Sequence, residues 1–318
     1  MRLAVALFGI GSSFGAVSCG GTPDVPRPED AKPVEQSPFT LTSVWGSSPQ
    51  SVWAVGEGGT VVRFDGDHWS AVDSGTTSDL YGVTGSSDSD VWAVGDDAIV
   101  HCDASACSVV MKGMFELLLD AWQSGPDDLW ASGLATDDDT GIVRHWNGSS
   151  WEFAETSEGH VLWDVWGTGP NDVWTGGSRL DGTGFLARGD GTTFDETTYQ
   201  GGSLRGLWGS AANDLWVATY EGDTQHWDGS TWTSFPNPSG QPLLRLGGTG
   251  KDVWAVGMKG TVLRWDGASW TTMAPSTTEN LKSVWASSSN DVWAVGGHGT
   301  LVHWDGTSWM DATNSVIR

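Results

Sequence analysis

Residues 281–315 read LKSVWASSSNDVWAVGGHGTLVHWDGTSWMDATNS, and this pattern recurs along the chain. It opens on a Val/Trp run, crosses a polar turn to DVWAVG, and turns on glycine into TLVHW. A tight DGTS turn then leads to WMDAT. Short apolar runs separated by Gly/Asn/Asp/Ser turns are the signature of antiparallel strands, and the 3.6-residue spacing of an amphipathic helix is absent. The same pattern begins at Leu41, Leu80, Leu118, Leu162, Leu204, Leu243 and Leu281, at offsets of 39, 38, 44, 42, 39 and 38 residues. Repeated units of about forty residues with four short strands each predict an all-β fold, a seven-bladed β-propeller of four-stranded antiparallel blades over residues 41–318. The last unit completes its own fourth strand, so closure without strand exchange is expected.

Four repeat positions take 21 of the 22 tryptophans. One position is Trp in every unit (Trp53, Trp92, Trp130, Trp174, Trp216, Trp254, Trp293), and a second holds Trp45, Trp122, Trp166, Trp208 and Trp285. Two more flank the tight turn, as in Trp265/Trp270. An indole at a fixed strand position in every unit is expected to fill the wedge between blades rather than to bind sugar. Trp163 alone lies off these positions.

Repeated polar residues read as scaffold by the same logic. Asp precedes the Val/Leu-Trp pair in six units, and Asp or Asn opens every tight turn, where it can accept turn amides. Arg or His stands two residues before each of those turns (Arg63, His101, His145, Arg188, His226, Arg264, His303) and is expected to pair with a carboxylate.

Cys102 and Cys107, in HCDASAC (101–107), occupy the positions that hold Trp265 and Trp270 in unit six. Residues facing each other across such a hairpin have Cβ atoms roughly 4.5–5.5 Å apart, close to what a disulfide requires. A zinc site would need further soft ligands, and the chain has only one other cysteine. A disulfide, worth about 2 kcal/mol on loop-closure grounds, is therefore expected, and it implies an oxidising compartment.

The chain has 40 Asp plus Glu against 15 Lys plus Arg, a formal charge of −25. Such a surface repels phosphate backbones and excludes nucleic acid as a partner. The first 18 residues, MRLAVALFGIGSSFGAVS, form an export signal with one basic residue, an apolar run and a small-residue end. Ala16-Val17-Ser18-Cys19 resembles the bacterial lipobox, which implies lipidation of Cys19. Gly20, rather than Asp, then implies the outer membrane or cell surface of a Gram-negative bacterium. Residues 19–40 are Pro-rich and charged and read as a tether.

The turn Trp265-Asp266-Gly267-Ala268-Ser269-Trp270 resembles the Asp-box or BNR turn of sialidase-type propellers. DVWAVGMKGTVLRWDGASW (252–270) also resembles blades of the photosystem II assembly-factor-like propellers. The resemblance spans 41–318 and implies the fold, but propellers host many activities. The turn departs from the Asp-box in having Asp and Gly adjacent, with Arg or His where Ser or Thr is usual. Sialidases use an arginine cluster and a Tyr nucleophile paired with Glu, and no motif marks Tyr81, Tyr199 or Tyr220 as catalytic. The Gly-His signature of WD40 repeats is missing as well.

Nearly all length variation falls in one loop of units three and four, LATDDDTG (134–141) and SRLDGTG (178–184). In a four-stranded meander that loop shares a face with the segment leading into the innermost strand. The second residue of that strand varies (Thr42, Tyr81, Leu119, Trp163, Arg205, Leu244, Lys282), and Asp120, Asp164 and Arg245 follow in three units. Tyr81, Asp120, Trp163, Asp164, Arg205 and Arg245 are therefore the candidate ligand-binding residues, on loops carried by a rigid scaffold. Asp137, Asp138, Asp139 and Asp181 could ligate calcium, although no EF-hand or nonapeptide spacing is present; a merely solvated acidic loop is the competing reading. No other cofactor is indicated.

The expected function is a non-enzymatic, surface-tethered module that binds an envelope protein or peptide and touches the membrane only through its anchor, as a monomer. A lectin for an extracellular glycan is the alternative. A glycoside hydrolase ranks third, because neither a paired-carboxylate motif nor a nucleophile motif stands out.

Overall fold

The computed structural model describes residues 39–317, except 138, 156–158 and 198. The signal segment 1–18, Cys19 with the tether as far as residue 38, and Asp138 lie outside the described residues. The rest is an all-β propeller of antiparallel sheets. Innermost strands pack side by side in cyclic order, each beside the next, and Leu281–Ser288 lies beside Leu41–Ser48 to close the ring.

The sheets number six, so the structure has six blades rather than the seven expected. The difference falls at units two and three, which share one six-stranded sheet. In unit two the turn between the second and third strands shrinks to Asp96-Asp97, and a single strand spans Asp90–Cys102. The connection to unit three also stays extended, over Cys107–Gly125. These long strands pair at Asp96↔Leu117 and Ala98↔Lys112. Asp97 takes a left-handed conformation (φ 56°), which Asp tolerates better than most residues. Its carboxylate accepts the Gly113 and Phe115 amides, both at 2.9 Å.

Closure also departs from expectation. Unit seven keeps its own fourth strand, Trp309–Asp311, but the chain continues into Val316–Ile317. That segment adds a fifth strand to the first sheet, parallel to Trp69–Val72 (Val316↔Trp69, Ile317↔Ser70). Last and first units are thereby hydrogen-bonded to each other.

The invariant tryptophans are buried, from 0% exposed at Trp53 to 5% at Trp92. Each packs into the core of the following unit: Trp53 with Leu80 and Val83, Trp130 with Leu162 and Val165, Trp254 with Leu281 and Val284. Trp293 packs with Leu41 and Val44, across the closure. An indole buries about 200 Å², worth about 5 kcal/mol as an upper bound. Stability is thus concentrated between units.

A second interlock uses the other tryptophan position. The indoles of Trp285, Trp45, Trp122, Trp166 and Trp208 press against Gly46, Gly85, Gly167, Gly209 and Gly248 of the next unit, where a Cβ would lie 2.6–3.1 Å from the ring. Where the preceding unit lacks that Trp (Thr84 in unit two, Gly247 in unit six), the next unit carries Gln123 or Ala286 instead of Gly. Shape complementarity between neighbours is thus written into the repeat.

The repeated cation pairs with the Asp that precedes the invariant Trp, across the hairpin: His101–Asp90 at 3.0 Å, His145–Asp128 at 2.8 Å, Arg264–Asp252 at 3.0 Å. It also lies over that Trp, as in His145 on Trp130 (3.9 Å) and Arg264 on Trp254 (5.2 Å). Unit one has Ser51 in place of the Asp, and Arg63 pairs with Asp88 of unit two at 3.0 Å. In the tight turns the Asp or Asn accepts the amides two and three residues on, at 2.8 Å each for Asp266. Those amides, that of Ser269 foremost, hold the Asp266 carboxyl below its ordinary value. Cys102 and Cys107 face each other in register and are disulfide-bonded, as expected.

Candidate functional site

The second residue of every unit sits on a β-bulge of the innermost strand. Register shifts fall between Leu41/Ser43, Leu80/Gly82, Leu118/Asp120, Leu162/Asp164, Leu204/Gly206, Leu243/Arg245 and Leu281/Ser283. A bulge leaves one residue unpaired and re-aims its side chain. The seven variable residues around the mouth are those bulge residues. Turns between strands two and three lie at the same end: Glu57, Asp96, Tyr220 and Gly297 donate their amides to carbonyls just before the innermost strands (Thr40, Asp79, Ser203, Asn280). The long loops of units three and four do likewise, Thr136 to Phe115 at 2.9 Å and Leu180 to Gly159 at 3.2 Å.

The six candidate ligand residues separate into three groups. Asp120, Asp164 and Arg245 come together although up to 125 residues apart. Arg245 pairs with Asp120 through Nη2 and with Asp164 through Nη1, the latter at 2.7 Å. The carboxylates also accept amides of the next innermost strands, Val165 for Asp120 (3.1 Å) and Leu207 for Asp164 (2.8 Å). Ser43 and Ser283 use the same position to accept the Val83 and Val44 amides. Burial, followed by the Asp120 charge, pushes the Asp164 carboxyl well up against the pull of Arg245. Burial would lower the Arg245 pKa, but the two carboxylates outweigh it and hold it above the ordinary value. This cluster is a buried ion-pair network that ties units three, four and six together.

Trp163 and Arg205 form the second group. The Trp163 indole donates to Ser178 Oγ at 3.2 Å, and the Arg205 guanidinium lies 3.7 Å from a Trp163 ring centroid and 5.0 Å from that of Tyr220. Trp163 is therefore half-buried with one face covered. Tyr81 stands apart; its hydroxyl donates to Asp79 at 3.4 Å. Burial foremost, then the Asp79 and Asp96 charges, raise its pKa.

Asp137 and Asp181 are exposed, and Asp139 has φ 59°. The Asp181 carboxylate accepts the amide and hydroxyl of Thr183, at 2.9 and 2.6 Å. No group of three metal-ligating side chains occurs among the described residues.

The same end of the molecule displays apolar side chains that the repeat pattern did not single out. Phe115 is 75% exposed, Leu180 60% and Tyr220 37%. They come from the end of unit two, just before unit three, and from units four and five. Leu180 was legible as the one large apolar residue in its polar insertion. Phe115 was hidden among the apolar residues of a long strand.

No protein-family model matches the chain, and no curated protein does. Solved structures do. A structure of YCF48 bound to D1 peptide superposes with a TM-score of 0.67 at 15% identity, covering 84% of this chain and 92% of that one. YCF48 from Cyanidioschyzon merolae gives a TM-score of 0.67 at 16% identity, covering 86% and 97%. The WD40 β-propeller domain of Doa1 gives 0.66 at 16% identity, covering 83% and 92%. At such identities the likeness is one of fold. The resemblance of residues 252–270 to photosystem II assembly-factor-like blades is matched at that level.

Proposed function

We propose that this protein is a non-enzymatic scaffold that docks a protein or peptide on the insertion-bearing end of its propeller. The observation that carries this reading is the exposure of Phe115, Leu180 and Tyr220 at one end of the propeller. Elsewhere, apart from Val110, Phe153 and Met310, the large apolar side chains of the described residues go mainly into the cores between units. Two of the similar propellers accord with it, one being bound to a peptide and one belonging to the WD40 class.

Asp79, Asp96 and Asp97 crowd the same end, and burial followed by the charges of Asp79 and Asp97 raises the Asp96 pKa. With a chain charge of −25, the complementary partner is an apolar segment flanked by basic residues, steered in by the field. The test is affinity capture by the full chain from its host, with Phe115→Ser and Leu180→Ser beside Met310→Ser, which is exposed on the outer strand of the last sheet. Loss of the captured partner in the first pair alone is expected; equal capture by all three would refute the reading.

The proposal keeps the export signal and a lipidated Cys19, which make the scaffold an outer-membrane or surface lipoprotein facing an envelope partner. Fractionation tests that part: Cys19→Ser is expected to move the protein from the membrane to the soluble fraction. For a lectin, Trp163 is the natural platform, but Arg205 occupies one of its faces, so the protein-binding reading is preferred.

A further inference from the structure

Seven arginines fall among the described residues, and six of them (Arg63, Arg144, Arg179, Arg188, Arg245, Arg264) hold an ion pair. Arg205 holds none, nor any hydrogen bond, among those residues, and its Nε is buried without an acceptor. Packing immobilises it, with Trp163 against its plane at 3.7 Å and Tyr220 at 5.0 Å. These ring contacts leave the in-plane N–H edge of the guanidinium to be satisfied. That edge matches a two-oxygen planar anion in bidentate geometry.

Lys282 occupies the bulge of unit seven as Arg205 occupies that of unit five, and it too lacks a carboxylate partner among the described residues. Its side chain is exposed at the mouth. Its pKa is lowered, by partial desolvation first and by the Arg205 charge second, while Glu57 acts the other way. The two cations thus feel each other, while Glu57 acts on Lys282, and Tyr220 and Glu221 on Arg205, in the opposite sense. Two positive charges without a direct ion pair, held near each other, are unfavourable in the free protein, and a ligand anion would relieve this.

We infer that the mouth of the propeller, between Arg205 and Lys282, is a binding site for a carboxylate, carried either by a small organic acid or by the end of a peptide chain. A doubly charged phosphate is disfavoured by the acidic groups around the rim, among them Glu57, Asp79, Asp96 and Glu221. The inference takes from the proposed function only that this end of the molecule is the binding end. It needs neither Phe115 nor Leu180.

The full chain would be titrated calorimetrically with succinate and with inorganic phosphate. It would also be probed on an array of short peptides made with free C-termini and again as C-terminal amides. Binding in at least one carboxylate arm is expected, with the amide arm blank and phosphate at least tenfold weaker. Binding confined to succinate would identify a small acid, and binding confined to free C-termini a chain end; either supports the site. Arg205→Gln and the exposed Lys282→Gln should each weaken it at least tenfold. The Lys282 variant, whose melting temperature should match wild type, keeps the test independent of folding. Blank carboxylate arms, equal binding of amides or phosphate, or full binding by Lys282→Gln would overturn the inference. Blank arms with capture still dependent on Phe115 and Leu180 would overturn this site and leave the docking face standing. Carboxylate binding without a rim-dependent partner would do the reverse.

Discussion

Arg245 shows how far a single residue's chemistry is readable before the chain is folded. Its charge, and those of Asp120 and Asp164, marked the mouth as polar, and the repeat register placed all three at the same depth. What the linear order could not say is that they satisfy one another. That depends on which units lie within reach across the ring, a matter of three-dimensional distance. Buried charge has a low tolerance for losing its partner. Arg245→Gln would leave two carboxylates without a counter-charge, and a loss of about 3–5 kcal/mol in chemical denaturation is expected. A variant as stable as wild type would mean that the cluster does not hold the units together. Cys102 and Cys107 are the opposite case. Their pairing was legible because the partner of each is fixed by a local hairpin whose register the other units display.

At the scale of the element, strands and turns were legible because each unit repeats them and the turn chemistry is local. The bulges were not legible, since an inserted residue in a strand leaves no mark in an apolar pattern. They nonetheless decide which side chains face the mouth. The sheet count was misjudged for a related reason: the repeat counts units, whereas sheets are counted by hydrogen bonds. A two-residue turn at Asp96-Asp97 and an unbroken Cys107–Gly125 strand merge two units into one sheet. The Trp-to-Gly interlock was written in the sequence as a covariation between neighbouring units. It yields a paired expectation. Gly209→Ala would place a Cβ 2.7 Å from the Trp166 ring and should cost about 1–3 kcal/mol, the range for overpacking. Ala286→Gly, where unit six offers no Trp, should change stability by less than about 1 kcal/mol. Thermal unfolding of the two variants compares them directly, and equal effects would contradict the interlock.

As a whole molecule, the protein uses its repeated residues between units, leaving little but the bulges and the turns at one end free to vary. The length variation in units three and four pointed to that end, and the exposed apolar groups are there as well. The charge of −25 is a property of the whole chain; it sets which partners approach, while the rim sets where they stop. The account's central claim is that this end docks a protein partner. The most direct measurement is photocrosslinking in the native host, with a photoreactive residue in place of Leu180 and, separately, of Met310 on an outer strand. A discrete protein adduct from position 180 and none from position 310 is the expected result. No adduct at 180, or the same adducts at both positions, would contradict it.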